Sequence, residues 1–438
     1  MGSTRHDMFI KYMNRGYPGN IKALDSLFFY RQKLADVLGY RSYAQYALVT
    51  KMAARPETVW AFLDDLKAKL NPPAAKEIEE LKDLKEQQHP EATELNAWDV
   101  SYYENRLLDS KYKLNTDEVK QYFEMNNVIN GMFLVYEKLF NIKISETHGV
   151  PVWQSKVRSY ELWMDGKKMG TFFLDLYPRP NKYTHFETAN ISLYHAENGK
   201  EVLPVGTLIC NFPEGTVDQP SLLEHQDVIT MFHEFGHLIH FLLCHPAIAS
   251  QYSFATKGDF VEAPSQFLEN FCWDYNCLKL FAKNYKTGEV LPKSLYNKMK
   301  AAQNAATALQ YSRQVALARL DFTYEDRYHT VESIGIDSVQ REIMDMPQVR
   351  FPKGDHFICS FTHLNGYGAN YYGYLWSKVY AQDIFSVFEK HGVLDQVTGV
   401  KYRKDILQEG AQVNETNMLW HFLGRQPNSD AFLKSIGL

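Results

Sequence analysis

The segment Thr230–Leu243, TMFHEFGHLIHFLL, limits the folds open to this chain more than any other stretch. Val228, Met231, Phe232, Phe235, Leu238, Ile239 and Leu242 put apolar groups around most of a helical wheel, the pattern of a helix buried on nearly every side. His233, Glu234 and His237 interrupt it with groups that need partners, since an unpaired buried polar group costs on the order of 1–3 kcal/mol. Their order is H-E-x-x-H. Two histidines four apart lie on one helical face, about one turn from each other. That spacing lets two imidazoles close on one Zn2+, with the glutamate between them available as a general base.

A zinc site that keeps an open position needs a third protein ligand. His240 shares the face of His233, but seven residues of rise separate the two by roughly 10 Å, too far to share one ion with His237 between them. The longer pattern H-E-x-x-H-x-x-G-x-x-H also fails, because this chain has His240 and Leu243 at its last two fixed positions. Glu262, in DFVEAPSQFLEN at the start of a second helical pattern, is the better candidate. A carboxylate from a second helix completes a set of two histidines and one glutamate. Glu269 lies seven residues on, on the same face, placed either to accept a hydrogen bond from a ligand histidine or to form an ordinary buried ion pair. His240 reads as a core histidine or as a neighbour of the ligands.

HEFGHLIH, followed by DFVEAPSQFLENF and later by NGYGANYYGYLWSKVYAQDIF, resembles the thimet oligopeptidase and neurolysin family of zinc metallopeptidases, the M3 family. FFLDLYPR, LICNF and the terminal FLGRQPNSDAFLKSIGL share the likeness, which therefore runs through most of the chain. The resemblance implies a mainly α, multi-helical, two-lobed zincin of the gluzincin type, with a small, mainly antiparallel β-sheet next to the zinc helix. It implies one Zn2+ per chain on His233, His237 and Glu262, with Glu234 as general base. Matched backwards from YYGYLWS, the family's loop tyrosines fall on Tyr367, Tyr371 and Tyr374. Tyr367 and Tyr374 are then expected as donors to the oxyanion of the tetrahedral intermediate, and Tyr371 as a substrate contact. The family's histidine at the loop's start falls on His363, across an interval one residue shorter here. The loop's glycines suit a segment that moves over bound substrate.

Members of that family are longer, with an extra N-terminal helical region. Their lobes map onto 1–110 plus 305–360 and onto 111–304 plus 361–438. A shortened version is expected to have a wider channel, more exposed apolar surface, and a homodimeric or separate N-terminal partner.

With 438 residues, 45% hydrophobic and 14% aromatic, the chain has material for two or three domains and a large core. Its net charge of -5 is spread over interspersed acidic and basic residues, so no basic footprint points to nucleic acid. Five cysteines are an odd number with no C-x-x-C, which argues for reduced thiols over a disulfide framework. The N-terminus has no apolar signal core, and no run approaches 18 apolar residues. A soluble, cytoplasmic protein with no membrane association is expected.

Helical patterns fill the first part of the chain. Pro56 starts one, and Asn71-Pro72-Pro73 is expected to stop it; Lys76 to Gln88 then reads as a charged, solvated helix. Around Val150 the texture changes: VRSYELWMDGKKMGTFFLDLY alternates polar and apolar residues about Asp165-Gly166, a hairpin signal. ANISLY and VGTLICNF add two short strands. The sheet's edge either pairs with an extended peptide or is purely structural. After Phe271 helices return, including a long pair or one bent helix over SLYNKMKAAQNAATALQYSRQVALARLDFTYEDRYHT.

Together these features predict a zinc-dependent oligopeptidase that hydrolyses internal bonds of short peptides by a promoted-water mechanism. A peptidyl-dipeptidase of the same family is the alternative, and needs a cation to hold the substrate's C-terminal carboxylate. A peptide-binding scaffold that keeps a weakly active site is the reading from another class.

Overall fold

The computed structural model describes residues 2–92, 94–344 and 349–438. In chain order, the elements used below are α1 (Ile21–Val37), α2 (Pro56–Gln88), α3 (Met125–Phe140), β1 (Ile142–Thr147), β2 (Arg158–Met164), β3 (Lys167–Asp175), β4 (Glu187–Ser192), β5 (Val205–Ile209), α4 (His225–Leu243), α5 (Ala263–Glu269), α6 (Thr307–Asp326) and α7 (Gly373–His391). The described residues are mainly helical, with one five-stranded sheet and two short two-stranded ones. It divides into two compact units: Met1–Leu114 with Ala301–Trp376 and Ile436–Leu438, and Asn115–Lys300 with Ser377–Ser435. Residues 361–376, which the sequence grouped with the H-E-x-x-H helix, fall in the first.

In the first unit the expected stop at Asn71-Pro72-Pro73 does not occur. Helix α2 carries both prolines inside its 33 residues. Its buried stripe, Val59, Leu63, Leu66, Leu70, Ala74, Ile78, Leu81 and Lys85, keeps spacings of three and four straight through them. Packing of this stripe against α6 outweighs the two backbone bonds that prolines forfeit. The charged stretch after the prolines is likewise not simply a solvated face. Ile78 and Leu81 join Leu95, Tyr103, Leu107, Leu309 and Val349 in one core cluster. Glu77 caps the neighbouring helix, accepting the Ala308 and Leu309 backbone N–H groups at 3.2 and 2.7 Å, in place of the side-chain cap that Ala306 cannot supply.

On α6, Asp321 and Glu325 are buried one turn apart. Burial pushes the Asp321 carboxyl up to about 7, against the N–H groups of Tyr371 and Ala369 that favour its charge. It pushes Glu325 up to about 8, against the Arg31 guanidinium and with the help of Asp321.

The second unit is built on a five-stranded sheet in the order β1-β2-β3-β5-β4. Only β3 and β5 run parallel. Asp165 and Gly166 both take positive φ, 51° and 78°, which closes the β2–β3 hairpin as its sequence predicts. Helix α4 packs over β3, β4 and β5. The Tyr136 hydroxyl of α3 donates to the Phe232 carbonyl of α4 at 2.9 Å, and Phe133, Phe172 and Phe235 interlock between α3, the sheet and α4. All five cysteines are free and buried. Among the described residues no helix is long and apolar enough to cross a membrane.

Two expectations follow. Pro72→Ala restores a backbone donor within a continuous helix and raises the unfolding free energy by about 1 kcal/mol or more in a denaturant titration; a loss would mean the helix ends there. Because the folded-state pKa of Asp321 lies above its unfolded value, its contribution is fully present at acid pH and is lost as pH rises through about 7. The melting temperature of the wild type therefore falls relative to that of Asp321→Asn between pH 5 and pH 8.

Candidate functional site

Helix α4 opens with a reciprocal cap, in which the Glu224 side chain takes an N–H of the first turn and the Asp227 side chain accepts the Glu224 N–H at 3.0 Å. From that fixed start, His233 and His237 come round on one face with ring centroids 5.0 Å apart. Glu262 stands at the N-cap of α5. Its Oε2 lies 3.1 Å from His233 Nε2 and 3.0 Å from His237 Nε2. The Ser265 hydroxyl donates to the Glu262 carbonyl at 2.9 Å and sits 3.2 Å from Oε2, which steadies the carboxylate.

The two readings of Glu269 are both realised. Its Oε1 is 2.7 Å from His233 Nδ1, and its Oε2 accepts the Lys378 ammonium of α7 at 2.6 Å. Burial disfavours charge on His233, but the Glu262 and Glu269 carboxylates outweigh it and push its pKa up to about 10. Burial likewise disfavours charge on Glu262 and Glu269, and is overcome by His237 and His233 for the first and by Lys378 and His233 for the second; both carboxyls are lowered. His240 does not join them. It is buried with Nε2 unpartnered, and burial together with His237 takes its pKa down to about 3, so it is a neutral core histidine.

The donor set fits a divalent metal. Among the described residues, His233, His237 and Glu262 form the one such cluster, with their ligand atoms within 4.8 Å of one another. Two ring nitrogens and one carboxylate oxygen, all lone-pair donors, converge at hydrogen-bond distance. The second nitrogen of His233 is already held by Glu269, which orients that ring in the way of a carboxylate behind a metal-ligating histidine. A shared cation satisfies the convergence without requiring both rings to be protonated.

Glu234 follows His233 on α4 and precedes His237 by three positions. Thr188 of β4 donates its hydroxyl to the Glu234 carbonyl at 2.6 Å, with Glu234 Oε2 at 3.4 Å. Thr188 and Lys378 escaped the sequence reading because each is a lone polar residue on a separate element. Gly236 escaped it too, although a small residue facing DFVEAPSQF was a readable signal. A Cβ at Gly236 would lie 2.8 Å from the Ser265 Cα and 3.0 Å from Leu268 Cδ1. The glycine lets α5 approach α4 closely enough for Glu262 to reach both rings.

The expected loop residues gather in the first unit. His363, Tyr367, Tyr371 and Tyr374 form one aromatic cluster, with Tyr367 and Tyr374 stacked at 5.8 Å and His363 at 5.0 Å from Tyr371. The Tyr374 hydroxyl is 3.4 Å from His363 Nε2, and the Tyr371 hydroxyl donates to Gln314 Oε1 at 3.0 Å.

A helix-borne H-E-x-x-H pair meeting a glutamate from the following helix, over a small sheet, defines a zincin-type peptidase fold. The chain belongs to the family described as Peptidase family M3, which matches residues 2–438. Oligopeptidase A of Escherichia coli (strain K12) is 34% identical over 97% of this chain and 63% of its own length. Saccharolysin of Saccharomyces cerevisiae is 35% identical over 99% and 64%. The chain thus spans less than two thirds of the length of these curated relatives. Among solved structures, PZ peptidase A with an inhibitor superposes with a TM-score of 0.52 at 14% identity, covering 96% of this chain and 65% of that one. The M32 carboxypeptidase of Deinococcus radiodurans R1 gives 0.53 at 11%, covering 99% and 78%. At these identities the likeness is one of fold.

Gly236→Ala forces α5 away from α4 and is expected to weaken binding of a divalent metal ion about 10- to 100-fold, the scale of a disturbed ligand support, read by competition with a chromophoric chelator. Unchanged affinity would show that Glu262 reaches the rings without that close approach.

Proposed function

We propose that the chain is a metallopeptidase that holds one Zn2+ on His233, His237 and Glu262 and hydrolyses internal bonds of short peptides. The observation that carries this reading is the meeting of both imidazoles on one Glu262 oxygen, with Glu269 behind His233. The relatives named oligopeptidase and saccharolysin lend it support. A bound Zn2+ supplies Lewis acidity toward a carbonyl oxygen and toward water.

The chain's own groups take the remaining tasks. Glu234 accepts a proton from the attacking water and passes it to the departing amine. Strand β4 is one of the two outer strands of the sheet, so its outer backbone edge suits an extended peptide laid antiparallel or parallel to it. Thr188, on that strand, ties the edge to the Glu234 backbone. Tyr367 and Tyr374 donate to the oxyanion, Tyr371 contacts substrate, and His363 acts beside Tyr374, roles that rest on the family likeness of the segment.

Purified protein is expected to cleave a quenched fluorescent peptide, to lose that activity to a chelator and to regain it with Zn2+. Glu234→Gln should lower kcat about 100- to 10,000-fold while zinc content stays at one per chain. A zinc-loaded wild type that cleaves nothing would favour the peptide-binding reading. Release of dipeptides from the C-terminus alone would favour the peptidyl-dipeptidase.

A further inference from the structure

The segment 363–374 carries His363 and four tyrosines, and its glycines suggest a mobile strap. Its backbone is instead pinned from below. Asp321, buried on α6, accepts the Ala369 N–H on one oxygen at 3.1 Å and the Tyr371 N–H on the other at 3.0 Å. Between these two bonds the chain holds Ala369 in the left-handed region, at φ 58°, a conformation that a residue with a Cβ keeps only when its surroundings impose it.

One turn further along α6, Glu325 meets Arg31 of α1 at 2.5 Å, while its other oxygen has no hydrogen-bond partner. The same guanidinium donates to the Leu364 carbonyl at 2.7 Å and to the Asn365 carbonyl at 2.8 Å, and it lies 4.9 Å from the centre of the Tyr43 ring. Gly368 closes over this pair. A Cβ there would stand 2.4 Å from Arg31 Nη1 and 2.7 Å from Glu325 Oε1, whereas one at Gly366 would meet nothing within 4 Å. The glycine at 368 serves close approach to a buried ion pair, not freedom of movement. Gln314, Asp321 and Glu325 are spaced seven and four apart, so one face of α6 holds the segment along its length.

We propose that Asp321 is the positioning residue of the tyrosine segment, with the Arg31–Glu325 pair fixing the turn before it. By holding the Ala369 and Tyr371 amides, it sets where Tyr367 and Tyr374 present their hydroxyls. The inference rests on the role given to those tyrosines above. No other side chain offers both amides an acceptor among the hydrogen bonds of the described segment. Once ionised, above a pH of about 7, the carboxylate does so with two equivalent oxygens; an asparagine keeps one acceptor and turns its NH2 toward the other amide.

The test measures two things on zinc-loaded protein: kcat and KM on the fluorescent peptide, and hydrogen exchange of peptides covering 363–374. Asp321→Ala is expected to lower kcat about 10- to 100-fold with KM within about threefold of wild type, to leave zinc content unchanged, and to speed exchange in the segment at least tenfold. Asp321→Asn should fall between, and it decides the matter should the alanine variant fail to fold. Faster exchange with unchanged kcat would overturn the positioning role, as would unchanged exchange. A zinc-loaded wild type without activity would sink the peptidase reading, and exchange alone would then decide whether Asp321 anchors the segment.

Discussion

Two imidazole nitrogens and a carboxylate oxygen held within hydrogen-bond distance of one another form an arrangement that a chain does not keep without cause. Each is an electron-pair donor, and each is taken from a buried or half-buried place where water cannot satisfy it. Much of the second unit serves to maintain that meeting. The reciprocal cap fixes where α4 begins, the aromatic cluster between α3 and the sheet fixes its rotation, and Gly236 fixes its distance from α5. Glu269 and Lys378 then hold the His233 ring from behind.

The molecule treats its buried carboxylates in two ways. Glu262 and Glu269 are surrounded by groups that carry or accept positive charge, and their pKa values fall. Asp321 and Glu325 are offered backbone amides and a single shared guanidinium, and burial wins, so their pKa values rise. The first pair suits a site that binds a cation. The second suits an anchor whose hydrogen bonds matter more than its charge.

The meeting of His233, His237 and Glu262 was legible because helical periodicity and chemistry coincide. H-E-x-x-H places its polar groups on one face of an otherwise apolar helix, and Glu262 opens the next helical pattern, so local sequence sufficed. Local sequence misled where tertiary packing overrode it. Asn71-Pro72-Pro73 carries a strong stop signal, yet the stripe from Val59 to Lys85 keeps its period through the prolines and is buried throughout. The same stripe hides in the charged stretch, since Ile78 and Leu81 are few but correctly spaced. The hold on the tyrosine segment was out of reach for another reason. Arg31 and Leu364 lie 333 positions apart, and no pattern in either stretch points to the other. Glycine at 368 suggests flexibility in the sequence, because the close approach of its backbone to the Arg31 and Glu325 side chains leaves no mark there.

On the function proposed above, His233, His237 and Glu262 grip one divalent cation. Metal analysis of the purified chain after exhaustive dialysis against metal-free buffer and reloading tests it most directly, alongside His237→Ala. One tightly held zinc per wild-type chain, lost in the variant with the fold retained, is the expected result. A wild type that retains no zinc, or a variant that retains as much, would contradict it.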